Sequence, residues 1–206
     1  MAPRIILASG SPRRLELLGA LGVVFEVDPA DVDETTDVQN PTRVAEDLAL
    51  LKAQTVAARH LEESDVVVIG SDTVVALDGA LLGKPADAEE ARVMLRSLRG
   101  RMHEVVTGVA VVTRGIARVT HSRTAVVMRD YTDEETEAFI ATGSPFDKAG
   151  GYASQDPVFA PTAHIEGCAC GVVGLPLWTL LALLHDAGIE ADIPLLERCA
   201  TCLERF

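Results

Sequence analysis

The sequence is poor in positive charge. Its 206 residues include 18 lysines and arginines against 31 aspartates and glutamates, which gives a formal net charge of -13 at pH 7. Proteins that bind DNA or RNA need a broad basic face to neutralise many phosphates. The composition therefore argues against nucleic acid as a partner. A small polyanion needs only a local basic pocket, so the positions of the few basic residues matter more than their number.

The sequence also lacks an apolar run long enough to span a bilayer. Its longest apolar stretches, residues 66–69 and 172–184, are bounded or interrupted by glycine, proline or histidine and fall short of the roughly 20 residues that a membrane span needs. Residues 1–4 do not open a signal peptide with a charged region, an apolar block and a cleavage site. We therefore expect a cytoplasmic protein that has no membrane partner.

No linker, internal repeat or low-complexity tract divides the chain. Apolar residues make up 48% of it, which is enough for a sizeable core. A length of 206 residues is long for one compact domain and short for two. We therefore expect a single domain over residues 1–206, with two lobes around a cleft.

Cysteine is scarce and confined to the C-terminal part of the chain. The four cysteines occur as Cys168-Ala169-Cys170 and Cys199-Ala200-Thr201-Cys202. A four-thiolate zinc site or a redox pair is one interpretation. C-x-C is not a usual zinc spacing, however, and no redox βαβ context surrounds the C-x-x-C, so buried or incidental thiols in a reducing compartment are favoured. A C-terminal disulfide is a further alternative that the sequence does not place.

Two of the few basic residues, Arg13 and Arg14, follow the first predicted strand. The apolar run of residues 5–7 predicts a buried strand, Ser9-Gly10-Ser11 a tight turn, and Pro12 the first turn of a helix. A helix N-terminus and arginine side chains both bind anions, so the pattern favours a phosphate or carboxylate site. The alternative is an ordinary strand-turn-helix that carries two solvated arginines.

Apolar periodicity and turn residues predict a mixed α/β chain. The predicted strands cover residues 4–8, 23–27, 66–69, 74–76, 81–82, 101–112, 117–129 and 165–173, and the predicted helices cover residues 12–21, 40–60, 87–98, 132–141, 174–187 and 193–206. Gly70-Ser71-Asp72-Thr73 is predicted to be a break that separates two buried strands. Asp72 then lies at a strand end, where ligands bind in many α/β proteins.

Three other polar features are candidates for a site. The acidic run of residues 28–37, which includes Glu34, is either a solvated loop or a carboxylate source for a hard cation. Lys84 stands between glycine and proline, so its amine is held on a loop. In the glycine-rich segment 147–155, Asp147, Lys148 and Gln155 either reach a ligand or tie the loop.

His103 begins a predicted strand near other polar residues. Histidine in such a position is a possible base or metal ligand. No second histidine or cysteine stands at a metal-binding spacing from it, so a hydrogen-bonded structural role is favoured.

Six motifs, in this order and across nearly the whole chain, resemble those of the Maf family. They are Ser9-Gly10-Ser11-Pro12-Arg13-Arg14, Gly70-Ser71-Asp72-Thr73-Val74-Val75, Gly83-Lys84-Pro85, His103-Glu104-Val105-Val106-Thr107-Gly108, Asp147-Lys148-Ala149-Gly150-Gly151-Tyr152 and Val172-Val173-Gly174-Leu175-Pro176-Leu177. Their colinearity is far more specific than any single motif. The tail after Ala191 lies outside the resemblance.

The resemblance implies a nucleoside triphosphate pyrophosphatase, a hydrolase of nucleotide metabolism that releases a nucleoside monophosphate and pyrophosphate. It implies a mixed α/β fold related to that of the inosine triphosphate pyrophosphatases, with two lobes around a deep cleft. It also suggests a homodimer.

The resemblance also assigns roles to individual residues. It implies that Asp72 is the catalytic acidic residue, which accepts the proton, and that Glu34 is a nearby carboxylate. The substrate-binding positions that it implies are Ser9, Arg13, Arg14, Lys52, Lys84 and Gln155. Hydrolysis of a phosphoanhydride requires neutralised phosphate oxygens, so Asp72 and Glu34 are candidate ligands for Mg²⁺ or Mn²⁺.

Three positions resemble the subgroup that acts on dTTP and UTP: Arg13, Thr73 and Gln155. The resemblance thus implies a dTTP/UTP pyrophosphatase, with modified pyrimidine nucleotides as further candidate substrates. A glutamine amide both donates to and accepts from a pyrimidine edge. Two alternatives stay open. One is a nucleotide-binding regulator of cell division or septum formation without significant turnover, and the other is a pyrophosphatase for inosine or xanthosine triphosphate.

Overall fold

The computed structural model describes residues 3–63, 65–192, 196–199 and 202, which form a mixed α/β structure on one seven-stranded sheet. The strands are β1 (Arg4–Leu7), β2 (Phe25–Val27), β3 (Val66–Leu77), β4 (Ala80–Leu82), β5 (Met102–Thr113), β6 (Ile116–Met128) and β7 (Thr162–Glu166). The helices are α1 (Pro12–Gly19), α2 (Pro41–Ala57), α3 (Ala88–Leu98), α4 (Asp133–Ala141), α5 (Ala169–Val173) and α6 (Leu177–Asp186). The predicted α/β fold class with a mixed sheet is confirmed.

The sheet has the strand order β2-β1-β3-β5-β6-β7, and β4 pairs with β3. β1 runs parallel to β2 and β3, whereas the other pairings are antiparallel. The two-residue turns Asp78-Gly79 and Arg114-Gly115 have positive φ at both positions, as hairpin turns of this length require. Glycine at the second position of each turn adopts this conformation without steric cost.

One edge of β3 is only partly covered. β1 pairs with Val66 to Ile69, and β4 pairs with Val75 to Leu77. Between them, residues 70–74 have β5 on one side and neither β1 nor β4 on the other. Asp72 lies in this gap, so it is reached from the open edge of the strand.

The predicted break at residues 70–73 was wrong. β3 is one continuous strand, because β5 pairs with it in unbroken register from Val67 to Ala76. Asp72 therefore lies in the middle of a strand and is not at a strand end. A ligand can still reach Asp72, because neither β1 nor β4 covers this part of the β3 edge.

Polar residues interrupt the apolar face of β3. On the face that α1 and α6 cover, Val67 and Ile69 belong to one buried cluster, and Val75 and Leu77 belong to a second cluster with α3 and α4. Ser71 and Thr73 point to the same face between these clusters, since alternate residues of a strand share a face. The interruption leaves room for a pocket. The predicted depth of the cleft and its two lobes stay predictions, as does the single domain.

Helix α2 lies unusually close to the other face of the sheet. A Cβ atom on Gly70 would come within 2.2 Å of the Ala49 carbonyl oxygen, and one on Gly108 within 2.1 Å of the Ala45 carbonyl oxygen. The two glycines therefore let the helix backbone rest directly on β3 and β5. This contact sets the distance from the sheet to Lys52, which lies one turn beyond Ala49 in α2.

The strand predicted over residues 165–173 was also wrong. β7 ends at Glu166, Gly167 has a φ of 131°, and the short helix α5 follows after Cys168. The Cys168 Sγ accepts a hydrogen bond from the Gly171 N–H and so caps the helix. Thr132 and Glu135 form a capping box at the start of α4.

The cysteines lie in one buried cluster. Cys170 and Cys199 form a disulfide that links α5 to the short 3-10 turn Glu197–Cys199, whereas Cys168 and Cys202 are buried thiols. The buried-thiol interpretation was therefore wrong for the bonded pair. No group of three or more His, Cys, Asp or Glu side chains in the described part of the chain is placed to hold a metal ion. Most of the helix predicted over residues 193–206 lies outside the described residues.

The longest helix of the described residues, α2, has 17 residues. Within the described residues, none of the helices is both long and apolar enough to cross a membrane.

Candidate functional site

A pocket of about 550 Å³ opens at the gap in the edge of β3. The start of α1, the middle of α2, the loop after β4, the segment 147–155 and the end of α5 surround it. Eight of the predicted site residues line the pocket: Arg13, Arg14, Glu34, Lys52, Asp72, Thr73, Lys84 and Gln155. Side chains that are up to 142 positions apart in the sequence, from Arg13 to Gln155, thus meet at one place.

Arg14 is fixed in the wall of the pocket. Its Nε donates to the Gly174 carbonyl oxygen at 2.9 Å, and its Nη1 donates to the Ser9 Oγ at 3.2 Å. Burial lowers the pKa of the guanidinium, although nearby Asp72 opposes that shift. Ser9 is not among the residues that line the pocket. It is buried and holds Arg14, so its predicted contact with substrate stays a prediction.

Lys52 joins Asp72, the predicted catalytic residue, to Glu34, the predicted nearby carboxylate. Its Nζ lies 2.6 Å from the Asp72 Oδ1 and 2.6 Å from the Glu34 Oε1. Lys52 and Asp72 are buried, whereas 47% of the Glu34 side chain is exposed. A buried ammonium needs such partners, because an unpaired charge is costly to remove from water. The three side chains therefore form a fixed polar centre at the gap.

The two carboxyl groups differ in basicity. Burial raises the pKa of Asp72 above its ordinary value, while the positive charges of Lys52 and Arg14 oppose the increase. Burial acts in the same direction on Glu34, but the hydrogen bond and charge of Lys52 outweigh it and leave the pKa of Glu34 lowered. Asp72 is therefore more basic than an ordinary aspartate, and Glu34 is more acidic than an ordinary glutamate.

The same two carboxylates fit a hard divalent cation. Their oxygens converge on a single cationic atom, Lys52 Nζ, so they already share one positively charged position. Mg²⁺ is commonly held by one or two carboxylates together with water and substrate phosphates. Glu34 and Asp72 have the chemistry and the proximity for that kind of site.

Arg13 faces the segment 147–155 across the pocket. Its Nη1 lies 3.8 Å from the Asp147 Oδ2, and Asp147 also pairs with Lys148. The Lys148 Nζ donates to the Ser144 carbonyl oxygen at 2.6 Å, so this lysine ties its own loop. Gln155 and Lys84 are exposed at the rim.

His103 lies behind the pocket. Its Nε2 is 2.6 Å from the hydroxyl of Tyr152, which lines the pocket, and burial lowers the pKa of His103 to about 4. The imidazole is therefore neutral near pH 7. This contact agrees with the predicted hydrogen-bonded structural role.

Three residues of the site were missed in the sequence. Tyr152 lines the pocket, and the buried Ser71 Oγ lies within 3.0 Å of the Gly174 carbonyl oxygen that also holds Arg14. The buried Thr107 Oγ1 lies 3.1 Å from the Thr73 Oγ1. A hydroxyl residue within the apolar run of β5 was a usable signal, but its partner became visible only with the strand register.

Comparison with known proteins places the chain among its relatives. The model of the Maf-like protein family matches residues 4–187. The chain belongs to the Maf family. The motifs that suggested the resemblance lie within the matched residues, and the described part of the C-terminal tail, with Cys199 and Cys202, lies beyond them.

Several curated relatives of this Maf-family chain carry the same name. A dTTP/UTP pyrophosphatase of Thermomicrobium roseum is 51% identical over 193 residues, which cover 92% of this chain and 87% of that protein. Proteins of the same name from Deinococcus radiodurans and Dictyoglomus thermophilum are 46% and 44% identical. Those two matches cover 92% and 91% of this chain and 96% and 98% of the relatives.

Proposed function

We propose that this chain hydrolyses nucleoside triphosphates to a nucleoside monophosphate and pyrophosphate, with dTTP and UTP as its preferred substrates. One observation carries the proposal. Asp72, Glu34 and Lys52 converge at the wall of a pocket that also contains Arg13 and Arg14. The names of the relatives support the reaction and the choice of nucleotide.

The cationic side chains are suited to a triphosphate. Arg13, Arg14 and Lys84 line the pocket from two sides, although the chain as a whole carries a net charge of -13. Arginine offers planar pairs of donors to phosphate oxygens, and lysine offers a compact charge. Because Arg14 is already fixed by Ser9 and Gly174, it loses little freedom when a phosphate binds.

Asp72 is the proposed general base. It would take a proton from the water that attacks the α-phosphorus, the bond from that phosphorus to the bridging oxygen would break, and pyrophosphate would leave. The raised pKa of Asp72 makes it more basic than an ordinary aspartate. Lys52, which touches it, would keep the carboxylate in position and stabilise negative charge on the phosphates.

Glu34 and Asp72 would hold the Mg²⁺ or Mn²⁺ ion of the reaction, together with oxygens of the substrate. When bound, the ion neutralises charge that develops on the phosphates. The lowered pKa of Glu34 keeps this carboxylate ionised and ready to bind a cation.

The base would be recognised by Thr73 and Gln155. Arg13 would contribute to this choice as well as to phosphate binding. All three side chains line the pocket and match the positions that resemble the dTTP and UTP subgroup.

A panel of nucleoside triphosphates tests the proposal. Pyrophosphate release is measured with dTTP, UTP, CTP, GTP, inosine triphosphate and xanthosine triphosphate, with Mg²⁺ or Mn²⁺ present. We expect dTTP and UTP to have the highest kcat/KM. Faster turnover of the inosine or xanthosine nucleotide, or tight nucleotide binding without turnover, would contradict the proposal and favour the purine pyrophosphatase or the regulator.

Asp72→Asn tests the role of the base. The variant should lose at least about 100-fold in kcat, since general bases contribute on that scale or more, while its Kd for UTP stays within a few fold. Asp78→Asn is the matched control, because Asp78 is exposed in a hairpin turn and pairs only with Arg101 among the ion pairs of the described residues. An Asp72→Asn enzyme with undiminished turnover would remove Asp72 from this role.

A homodimer and a cytoplasmic location also belong to this proposal. Sedimentation or light scattering at several protein concentrations tests the dimer. A mass equal to that of a single 206-residue chain at all concentrations would contradict it.

A further inference from the structure

The proposed specificity residue Thr73 has a buried hydroxyl neighbour. Thr73 and Thr107 are directly opposite each other in the β3–β5 register, so their side chains leave the sheet on the same face. Thr107 is fully buried, whereas Thr73 lines the pocket. Their Oγ1 atoms are 3.1 Å apart.

The hydrogen bonds of Thr107 decide which of the two hydroxyls donates to the other. The Thr107 Oγ1 also lies 2.8 Å from the Gly171 carbonyl oxygen, at the shorter of its two contacts. A threonine hydroxyl has one proton, and a carbonyl oxygen only accepts. If Thr107 donates to Gly171, the bond between the hydroxyls must be donated by Thr73.

The carbonyl of Gly171 is itself well fixed. It accepts a second hydrogen bond, from the Gly174 N–H at 2.9 Å, at the end of α5. Gly174 in turn binds Arg14 through its carbonyl oxygen. The acceptor that fixes the proton of Thr107 is therefore hydrogen-bonded to the residue that holds Arg14.

We propose that Thr107 is a positioning residue that makes the Thr73 hydroxyl a hydrogen-bond acceptor toward the substrate base, and thereby selects bases with an imide N–H. This inference rests on the proposed function. The proton of Thr73 points at Thr107, so only its lone pairs face the pocket. The group that Thr73 recognises must then be a donor.

Uracil and thymine share the donor that this arrangement requires. Both carry N–H at ring position 3, between two carbonyl oxygens, whereas cytosine has an unprotonated acceptor nitrogen at that position. dTTP and UTP differ in their sugar and in the 5-methyl group, so the imide edge is the feature that they have in common. An acceptor at Thr73 attracts this edge and repels that of cytosine.

Gln155 alone is a weaker discriminator. Its amide presents a donor or an acceptor after a half-turn of the side chain. The side chain is exposed, and its Oε1 accepts a hydrogen bond from the neighbouring Ser154 hydroxyl at 3.3 Å. The Thr73 hydroxyl is held by a buried partner and does not have this choice.

Thr107→Val tests the inference, because it removes the hydroxyl and keeps the shape of the side chain. The Thr73 hydroxyl is then free to turn its proton into the pocket and to donate to the acceptor nitrogen of cytosine. We expect the ratio of kcat/KM for UTP to that for CTP to fall at least about fivefold, in keeping with one hydrogen bond. Thr107→Ser keeps the hydroxyl and should retain most of the wild-type ratio.

Thr124→Val is the matched control. Thr124 is equally buried, and its Oγ1 accepts from the Cys168 N–H at 2.9 Å, so it supports the start of α5 without reaching the pocket lining. This variant should lose thermal stability but keep the UTP-to-CTP ratio. If Thr107→Val does not fold, Thr107→Cys takes its place, since a thiol is a weak donor.

The outcomes separate this inference from the proposed function. Wild-type protein that releases no pyrophosphate from UTP or dTTP contradicts the proposed function itself. Wild-type turnover without a preference for UTP over CTP overturns the role of Thr107, and so does an unchanged ratio in Thr107→Val. An equal fall of the ratio in Thr124→Val would show a general structural effect and overturn it as well.

Discussion

At the scale of single residues, the site combines groups of opposite character within short distances. Lys52 is in contact with Asp72 and Glu34, and Arg14 is fixed by a backbone carbonyl. Burial raises the pKa of Asp72, while the pKa of Glu34 is lowered. One carboxylate is thus suited to receive a proton and the other to stay charged.

His103 predicts an acid-sensitive contribution to stability. Burial lowers its pKa to about 4 in the folded chain, against about 6.5 when unfolded, so between these values the unfolded chain binds more protons. Stability therefore rises with pH across this window, is complete above about 6.5, and falls as the pH drops toward 4. This lowering of the His103 pKa corresponds to about 3 kcal/mol in the free energy of unfolding.

His103→Gln checks this contribution. Free energies of unfolding are measured by urea titration at pH 4.5 and pH 7.5. The variant should lose less stability between these pH values than the wild type, by about 2 kcal/mol or more, since it has no imidazole to protonate. Tyr152→Phe, which keeps the imidazole, should retain the wild-type pH dependence. Equal pH dependence in wild type and His103→Gln would contradict the account.

The residues whose roles could not be predicted from the sequence depend on contacts with residues that are distant in the chain. Arg13, Asp72 and Lys84 stand in recognisable motifs, so they could be named in advance. The role of Thr107 depends on its register with Thr73 and on the carbonyl of Gly171, which is 64 positions away in the chain. Neither relation leaves a mark in the local sequence.

At the scale of elements, the pocket depends on how far each strand extends. β1 ends at Leu7, opposite Ile69, and β4 ends at Leu82, opposite Val75, so the middle of β3 keeps an open edge. Apolar periodicity predicted the strands but treated Gly70 to Thr73 as a break. Pairing with β5 keeps the strand continuous there, because tertiary contacts override the local preference of glycine.

Gly108→Ala tests the contact between α2 and the sheet. The added Cβ would meet the Ala45 carbonyl oxygen at 2.1 Å, so α2 must move outward and carry Lys52 away from Asp72. We expect destabilisation of at least about 1 to 3 kcal/mol, as for overpacked sites, and a larger loss in kcat than in substrate affinity.

Gly19→Ala is the control for this prediction. Gly19 lies in α1 with open space around it, and alanine favours a helix. The stability and the kcat of Gly19→Ala should equal or exceed those of the wild type. If Gly108→Ala behaves in the same way, the close approach does not position Lys52.

At the scale of the whole molecule, the chain concentrates a small part of its positive charge in one place. Its net charge of -13 predicts no affinity for nucleic acid, yet several of its 18 basic residues surround the pocket. The order of the motifs indicated the family, and the family model confirms it over residues 4–187. The disulfide between Cys170 and Cys199 could not be placed from the sequence, since pairing depends on how the tail packs on α5.

The products formed from UTP test the central claim most directly. Phosphorus NMR follows the reaction of the full-length protein with UTP and Mg²⁺ or Mn²⁺, and Asp72→Asn serves as the blank. The account predicts that UMP and pyrophosphate appear in equal amounts with the wild type, and that the variant forms them at least about 100-fold more slowly. Formation of UDP and inorganic phosphate, or persistence of intact UTP, would contradict it.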